Sequence, residues 1–152
     1  FPGISHLQGN SFGRSSGGMT REAIINYWLE KAREDIASAC ANRDQGRYQN
    51  AVRDTYFACF HAFTALLFKD GKSFKKHREV RAMLHRDYVR SGRIEAAWGK
   101  HYDWLFDNRQ KADYRPLVNF TPDQVGDIVE KSIGFVSEME KLLKNRETQH
   151  AL

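Results

Sequence analysis

Thirteen residues, YFACFHAFTALLF from Tyr56 to Phe68, limit the fold more than any other stretch. Apolar side chains take nearly every position (Tyr56, Phe57, Ala58, Cys59, Phe60, Ala62, Phe63, Leu66, Leu67), so a helix made from them is apolar on almost every side. Such a helix belongs in the middle of a bundle, with neighbours covering each face. It is too short to cross a bilayer, which takes about 20 apolar residues, and His61 interrupts it. The polar break NRDQG precedes it, and Lys69, Asp70 and Gly71 follow. Gly71 is well placed to close the helix in a left-handed conformation. The expected element runs from about Tyr48 to Phe68.

The rest of the chain supplies the neighbours. From Ala23 to Ala41, apolar residues at Ile25, Leu29, Ala32, Ile36 and Ala39 alternate spacings of four and three, which marks one stripe of a helix with Thr20 as its cap. A third helix passes through Val80, Leu84, Tyr88 and Val89 and ends at Ser91-Gly92. A fourth, from about Ile94 to Tyr114, carries Trp98, Tyr102, Leu105 and Phe106 and stops before Pro116, because the residue preceding proline avoids helical geometry. The last helix has the clearest start: Thr121 as cap, Pro122 at the first helical position, and Gln124 completing a capping box. Its apolar face is Val125, Ile128, Val129, Ser132, Val136, Met139 and Leu143. No strand pattern and no internal repeat compete, so the expected fold is all-α, an up-and-down bundle of four to five helices.

A chain of 152 residues suffices for one core without metal or disulfide staples. Residues 1–18 contain four Ser, five Gly and no acid, and read as an appended leader or a disordered arm, leaving 19–152 as a single domain. They lack the charged start and long apolar run of a secretory signal, and a soluble, cytoplasmic protein is expected. Cys40 and Cys59 stand alone in apolar helical patterns and read as structural thiols.

Charge is concentrated. Residues 72 to 93 hold eight Lys or Arg against Glu79 and Asp87, a local +6 in a chain of net +5. Lys72, Lys75, Lys76, His77, Arg78 and Arg81 could therefore meet a phosphate backbone, an acidic protein partner, or only solvent. Phosphate-loop and nucleotide-fold motifs and paired Cys/His metal spacings do not occur, and neither metal nor cofactor is expected. Asp103 and Asp107 can share a helical face, which two carboxylates alone rarely turn into a metal site.

Several segments together resemble the HEPN superfamily, in particular its small stand-alone members found beside minimal nucleotidyltransferases. They are KAREDIASA (31 to 39), GRYQNAVRDTYFACFHAFTALLF (46 to 68), GKSFKKHREV (71 to 80) and RQKADY (109 to 114) before the capped last helix. The resemblance implies a helical homodimer acting in RNA cleavage or in toxin-antitoxin and defence systems, with a nucleotidyltransferase or antitoxin partner. Active members are metal-independent endoribonucleases with an Arg, four to six intervening residues, and a His. Here the position after Arg109 and four intervening residues is Tyr114, and no histidine follows until His150. Arg78 and His85 also fit the spacing, but on the third helix, in a segment rich in both residue types.

Arg109, Asp113 and Tyr114 are thus the candidate catalytic set. Arg109 and Asp113, four apart, equally suit an intrahelical ion pair worth roughly 0.2 to 0.5 kcal/mol. Arg53, Asp54 and His61 form a second candidate set, a buried polar network on the central helix, where polar groups need partners. The expected function is a HEPN-type partner of a minimal nucleotidyltransferase with little or no nuclease activity of its own. An active endoribonuclease toxin and a nucleotide- or substrate-binding subunit are the alternatives.

Overall fold

Five helices carry the chain in the computed structural model, which describes residues 20–114 and 119–145, with the backbone alone for 110–114. They are α1 (Arg21–Asp44), α2 (Tyr48–Lys69), α3 (His77–Met83, continued by a π-helical segment Leu84–Val89), α4 (Ala96–Tyr114) and α5 (Pro122–Lys144). No strand occurs among the described residues. The all-α bundle is the architecture expected. The candidate leader at 1–18 lies outside the described residues.

α2 is the centre: it packs against α1, α4 and α5, and α1 also meets α5. From Ala58 to Leu67 every residue of α2 is buried. Each fully buried Phe or Leu there contributes about 1.5–3 kcal/mol relative to an exposed one. Phe57 and Phe68 are the exceptions in the apolar run, both being half-buried. None of these helices is long and apolar enough to cross a membrane.

Helix ends follow local chemistry. Thr20 Oγ1 accepts from the Ala23 amide at 3.1 Å, and Thr121 Oγ1 accepts from the Gln124 amide at 3.1 Å. Gly71, at φ +75°, closes α2: its amide donates to Phe68 O at 3.0 Å, and Lys72 N donates to Leu67 O at 2.9 Å. Those two bonds satisfy carbonyls that the helix leaves open. Replacing Thr121 by Ala should lower stability by about 1 kcal/mol, read as a shift of the urea midpoint at unchanged slope.

Three details differ from the sequence expectation. In α1 the buried stripe is Ile24, Trp28, Leu29, Ala32 and Ala39, while Ile25 and Ile36 are half-buried. Leu29, Ala32 and Ala39 are common to both stripes, and Ile24 and Trp28, the largest apolar group of that helix, take the burial expected of Ile25 and Ile36. α4 begins at Ala96, because Ile94 is buried in the preceding turn and its amide bonds Tyr88 O. The third change is the π-helical half of α3, which swings Tyr88 onto Asp70 (Oη to Oδ2, 2.5 Å). Cys59 is fully buried, which pushes its thiol above the usual range, and Cys40 is half-buried; both are free thiols.

Candidate nucleic-acid interface

Arg109 sits near the end of α4, and its guanidinium lies 4.9 Å from the centre of the Tyr56 ring and 5.8 Å from that of Phe57. Tyr56 and Phe57 are consecutive on α2, their rings edge to face at 5.2 Å. Beside them Phe106 of α4 meets Tyr56 edge-on at 6.1 Å and carries a second guanidinium, that of Arg81, at 4.2 Å. Two arginines on α3 and α4 are therefore spread over one aromatic platform. Each such contact is worth about 0.5–2 kcal/mol, depending on how far water is excluded.

The platform is buried underneath. Tyr56 and Tyr102 are fully buried with rings 5.8 Å apart. Burial raises the Tyr56 phenol to about 12 and that of Tyr102 well above its usual value, so both stay protonated at neutral pH. His77, the first residue of α3, stacks on Phe60 at 4.3 Å, and its Nδ1 lies 3.1 Å from Tyr56 Oη. Burial lowers the His77 pKa to about 4, helped by the nearby positive charge of Arg109 and by His61.

The sequence placed His77 in the basic segment; here it packs on Phe60. It belongs to the aromatic cluster as a neutral imidazole and adds no charge to the basic segment. Within that segment Lys75, Lys76 and Arg78 are exposed. Lys72 is drawn to Asp87 at 2.9 Å and Arg81 to Asp107 at 3.3 Å. Arg86 and Lys72 together hold the Asp87 carboxyl well below the usual carboxylate range. The Asp113 and Tyr114 side chains lie outside the described residues, although the α4 backbone runs through both.

The polar groups of α2 bond mainly to α1. His61 is buried, stacks on Trp28 at 5.5 Å, and places Nδ1 2.6 Å from Asp35 Oδ2. Asp54 accepts from Ser38 Oγ at 2.9 Å and Asn42 Nδ2 at 2.7 Å, while Arg53 donates to Asn50 Oδ1 at 2.5 Å. Asp54 and His61 thus each reach α1, and the carboxylate beside His61 is Asp35, which sequence spacing did not single out. The only signal for it was an acid on the α1 surface near the apolar stripe. Asp103 and Asp107 face α3: His85 Nε2 lies 2.8 Å from Asp103 Oδ1, both residues partly exposed. His101 faces α5, its Nε2 2.9 Å from Ser132 Oγ, and burial lowers it to about 4.

An all-α bundle whose central helix offers an aromatic face to a late-helix arginine is the arrangement on which known relatives bear. The chain belongs to the HEPN family, matching the HEPN domain over residues 25–142. It is 37% identical over 125 residues to a UPF0332 protein of Thermotoga maritima, covering 82% of this chain and 95% of that one. It is 31% identical over 120 residues to a Methanocaldococcus jannaschii protein named "Putative toxin MJ0605", covering 79% of this chain and 89% of that one.

Proposed function

We propose that the chain acts on RNA as the HEPN member of a toxin-antitoxin or related defence pair. In this reading it works as a homodimer beside a minimal nucleotidyltransferase or antitoxin partner, and Arg109 is its phosphate contact. One observation carries the proposal: the Arg109 guanidinium lies on the Tyr56 and Phe57 rings, with Arg81 on Phe106 beside it. Arginine guanidiniums are what RNA phosphates meet in proteins, and the buried rings of Tyr56 and Phe106 hold these two beside each other. The exposed Lys75, Lys76 and Arg78 extend positive charge along the start of α3 and serve the backbone without reading sequence. The toxin name borne by the Methanocaldococcus relative supports the same class of system.

Binding of a fluorescent single-stranded RNA by anisotropy tests this. Arg109→Ala should weaken binding roughly 10- to 100-fold, the loss of one charge-assisted contact of about 1.5–3 kcal/mol. Combined replacement of Lys75, Lys76 and Arg78 by Ala should flatten the salt dependence, lowering the slope of log K against log salt by about 2. RNA affinity that is absent in the native chain, or unchanged in Arg109→Ala, overturns the reading. Co-purification with a nucleotidyltransferase encoded next door, and a dimer mass in light scattering, are the expected partner results.

A further inference from the structure

We propose that Asp107 is a built-in competitor for RNA: its carboxylate occupies the Arg81 guanidinium where an RNA phosphate binds, and the strand seats by displacing it. This rests on the reading that RNA is bound at Arg109, and extends that site along α3 and α4 to a second phosphate contact.

Arg81 is anchored on one side and open on the other. Its guanidinium lies over the Phe106 ring at 4.2 Å, and Phe106 meets Tyr56, the ring under Arg109, edge-on at 6.1 Å. Burial raises the Tyr56 phenol, while its bond to Tyr102 and then the charges of Arg109 and Arg81 act against that rise, so both guanidiniums are felt at one hydroxyl. The Arg81 side chain nevertheless stays 35% exposed, and its Nη1 donates to Asp107 Oδ1 at 3.3 Å, with Asp107 59% exposed. Carboxylate and phosphate oxygens satisfy a guanidinium in the same way. The carboxylate therefore marks, on the accessible side of Arg81, the place a phosphate takes.

The contact is one that yields. Exposed ion pairs hold weakly, and 3.3 Å is longer than the roughly 2.7–2.9 Å of a strong charge-assisted bond. The pair one turn along is different. His85 Nε2 lies 2.8 Å from Asp103 Oδ1, and the His85 ring packs so closely on Gly99 that a Cβ there would come within 2.9 Å of His85 Cε1. That pair fixes α3 on α4, so Asp107 can release Arg81 without the helices separating. Asp103 and Asp107, four apart on one face of α4, thus have separate roles: one joins the helices and the other covers the arginine. A strand pinned at Arg109 presents its neighbouring phosphate to Arg81 at high local concentration and displaces the carboxylate, an advantage that a free mononucleotide lacks.

The test is the anisotropy of a fluorescein-labelled single-stranded oligouridine with the full chain at fixed salt. Asparagine keeps the size of Asp107 and removes its charge, so Asp107→Asn should tighten binding about fivefold, and Arg81→Ala should weaken it about fivefold. Substitutions that share one contact are not additive, so in the Arg81→Ala background Asp107→Asn should change affinity less than about twofold. Asp127→Asn removes the same charge from α5, where that carboxylate pairs with Lys131 at 3.1 Å, and should leave affinity within about twofold of native. Binding that is unchanged or weaker in Asp107→Asn overturns the proposal. So does a tightening that persists without Arg81 or is matched by Asp127→Asn, since either reports net charge alone. Those results leave RNA binding through Arg109 standing, whereas a lack of RNA binding in the native chain and Asp107→Asn alike removes both.

Discussion

Trp28→Ala should remove about 3–5 kcal/mol of stability, the range for truncating a large buried aromatic. Trp28 is 1% exposed, and its ring stacks on His61 at 5.5 Å, directly over the contact that His61 makes with Asp35. Its loss both opens a cavity between α1 and α2 and thins the apolar cover of a buried polar pair, whose strength depends on that cover. Domains of this size are stable by roughly 5–15 kcal/mol, so the variant should sit near the limit of folding. Urea unfolding should show the midpoint falling by about 2 M, taking a slope near 2 kcal/mol per M. Trp104→Ala, at a half-buried position on α4, should lose less than half as much. Equal losses at the two sites would show that the α1–α2 seam is not where the bundle is anchored.

The second large effect is with pH. His77 and His101 are lowered to about 4 from an ordinary value near 6.5. The unfolded chain therefore binds protons between these values that the folded chain refuses. Stability from this source is fully present above about pH 6.5 and is lost as the pH falls toward 4. A shift of that size corresponds to about 3 kcal/mol at most. Both side chains keep some contact with solvent, so about 1–2 kcal/mol each is the realistic loss. Urea midpoints at pH 7.5 and 4.5 check the direction, and His101→Asn should remove about half the drop. At His101 the Lys131 charge works with burial and Asp127 against it, so Lys131→Ala should soften the same transition.

Local signals in the sequence carried the helices far and the site only part of the way. α5 was legible almost residue by residue, since Thr121, Pro122 and a regular apolar face all lie within the element they define. α1 was legible as a helix and in three of its five stripe residues, but Ile24 and Trp28 were missed, because a count of apolar residues gives Trp28 no more weight than Ile25. The π-helical stretch left no trace, as residues 84–89 fit an α-helical spacing equally well. Arg109 stood out by resemblance, whereas its setting did not: Tyr56 and His77 are 21 residues apart and meet only through the packing of α3 on α2. In KKHRE, His77 reads as one more basic group, and only burial against Phe60 separates it from the lysines beside it. The tie between His61 and Asp35 was hidden for the same reason, being a contact between two helices 26 residues apart in the chain.

The π-helical segment of α3 has a consequence for comparing this chain with its relatives. Its wider turn holds one residue more than an α-helical turn does, and the anchors on either side are separate: His77 and Arg81 face the aromatic platform, while Tyr88 is fixed to Asp70. A relative one residue shorter between positions 84 and 89 could close this stretch as ordinary α-helix and keep both anchors where they are. Single-residue gaps in family alignments should therefore collect here, and sequences should be aligned on His77 and Tyr88 independently, not by one unbroken helical register.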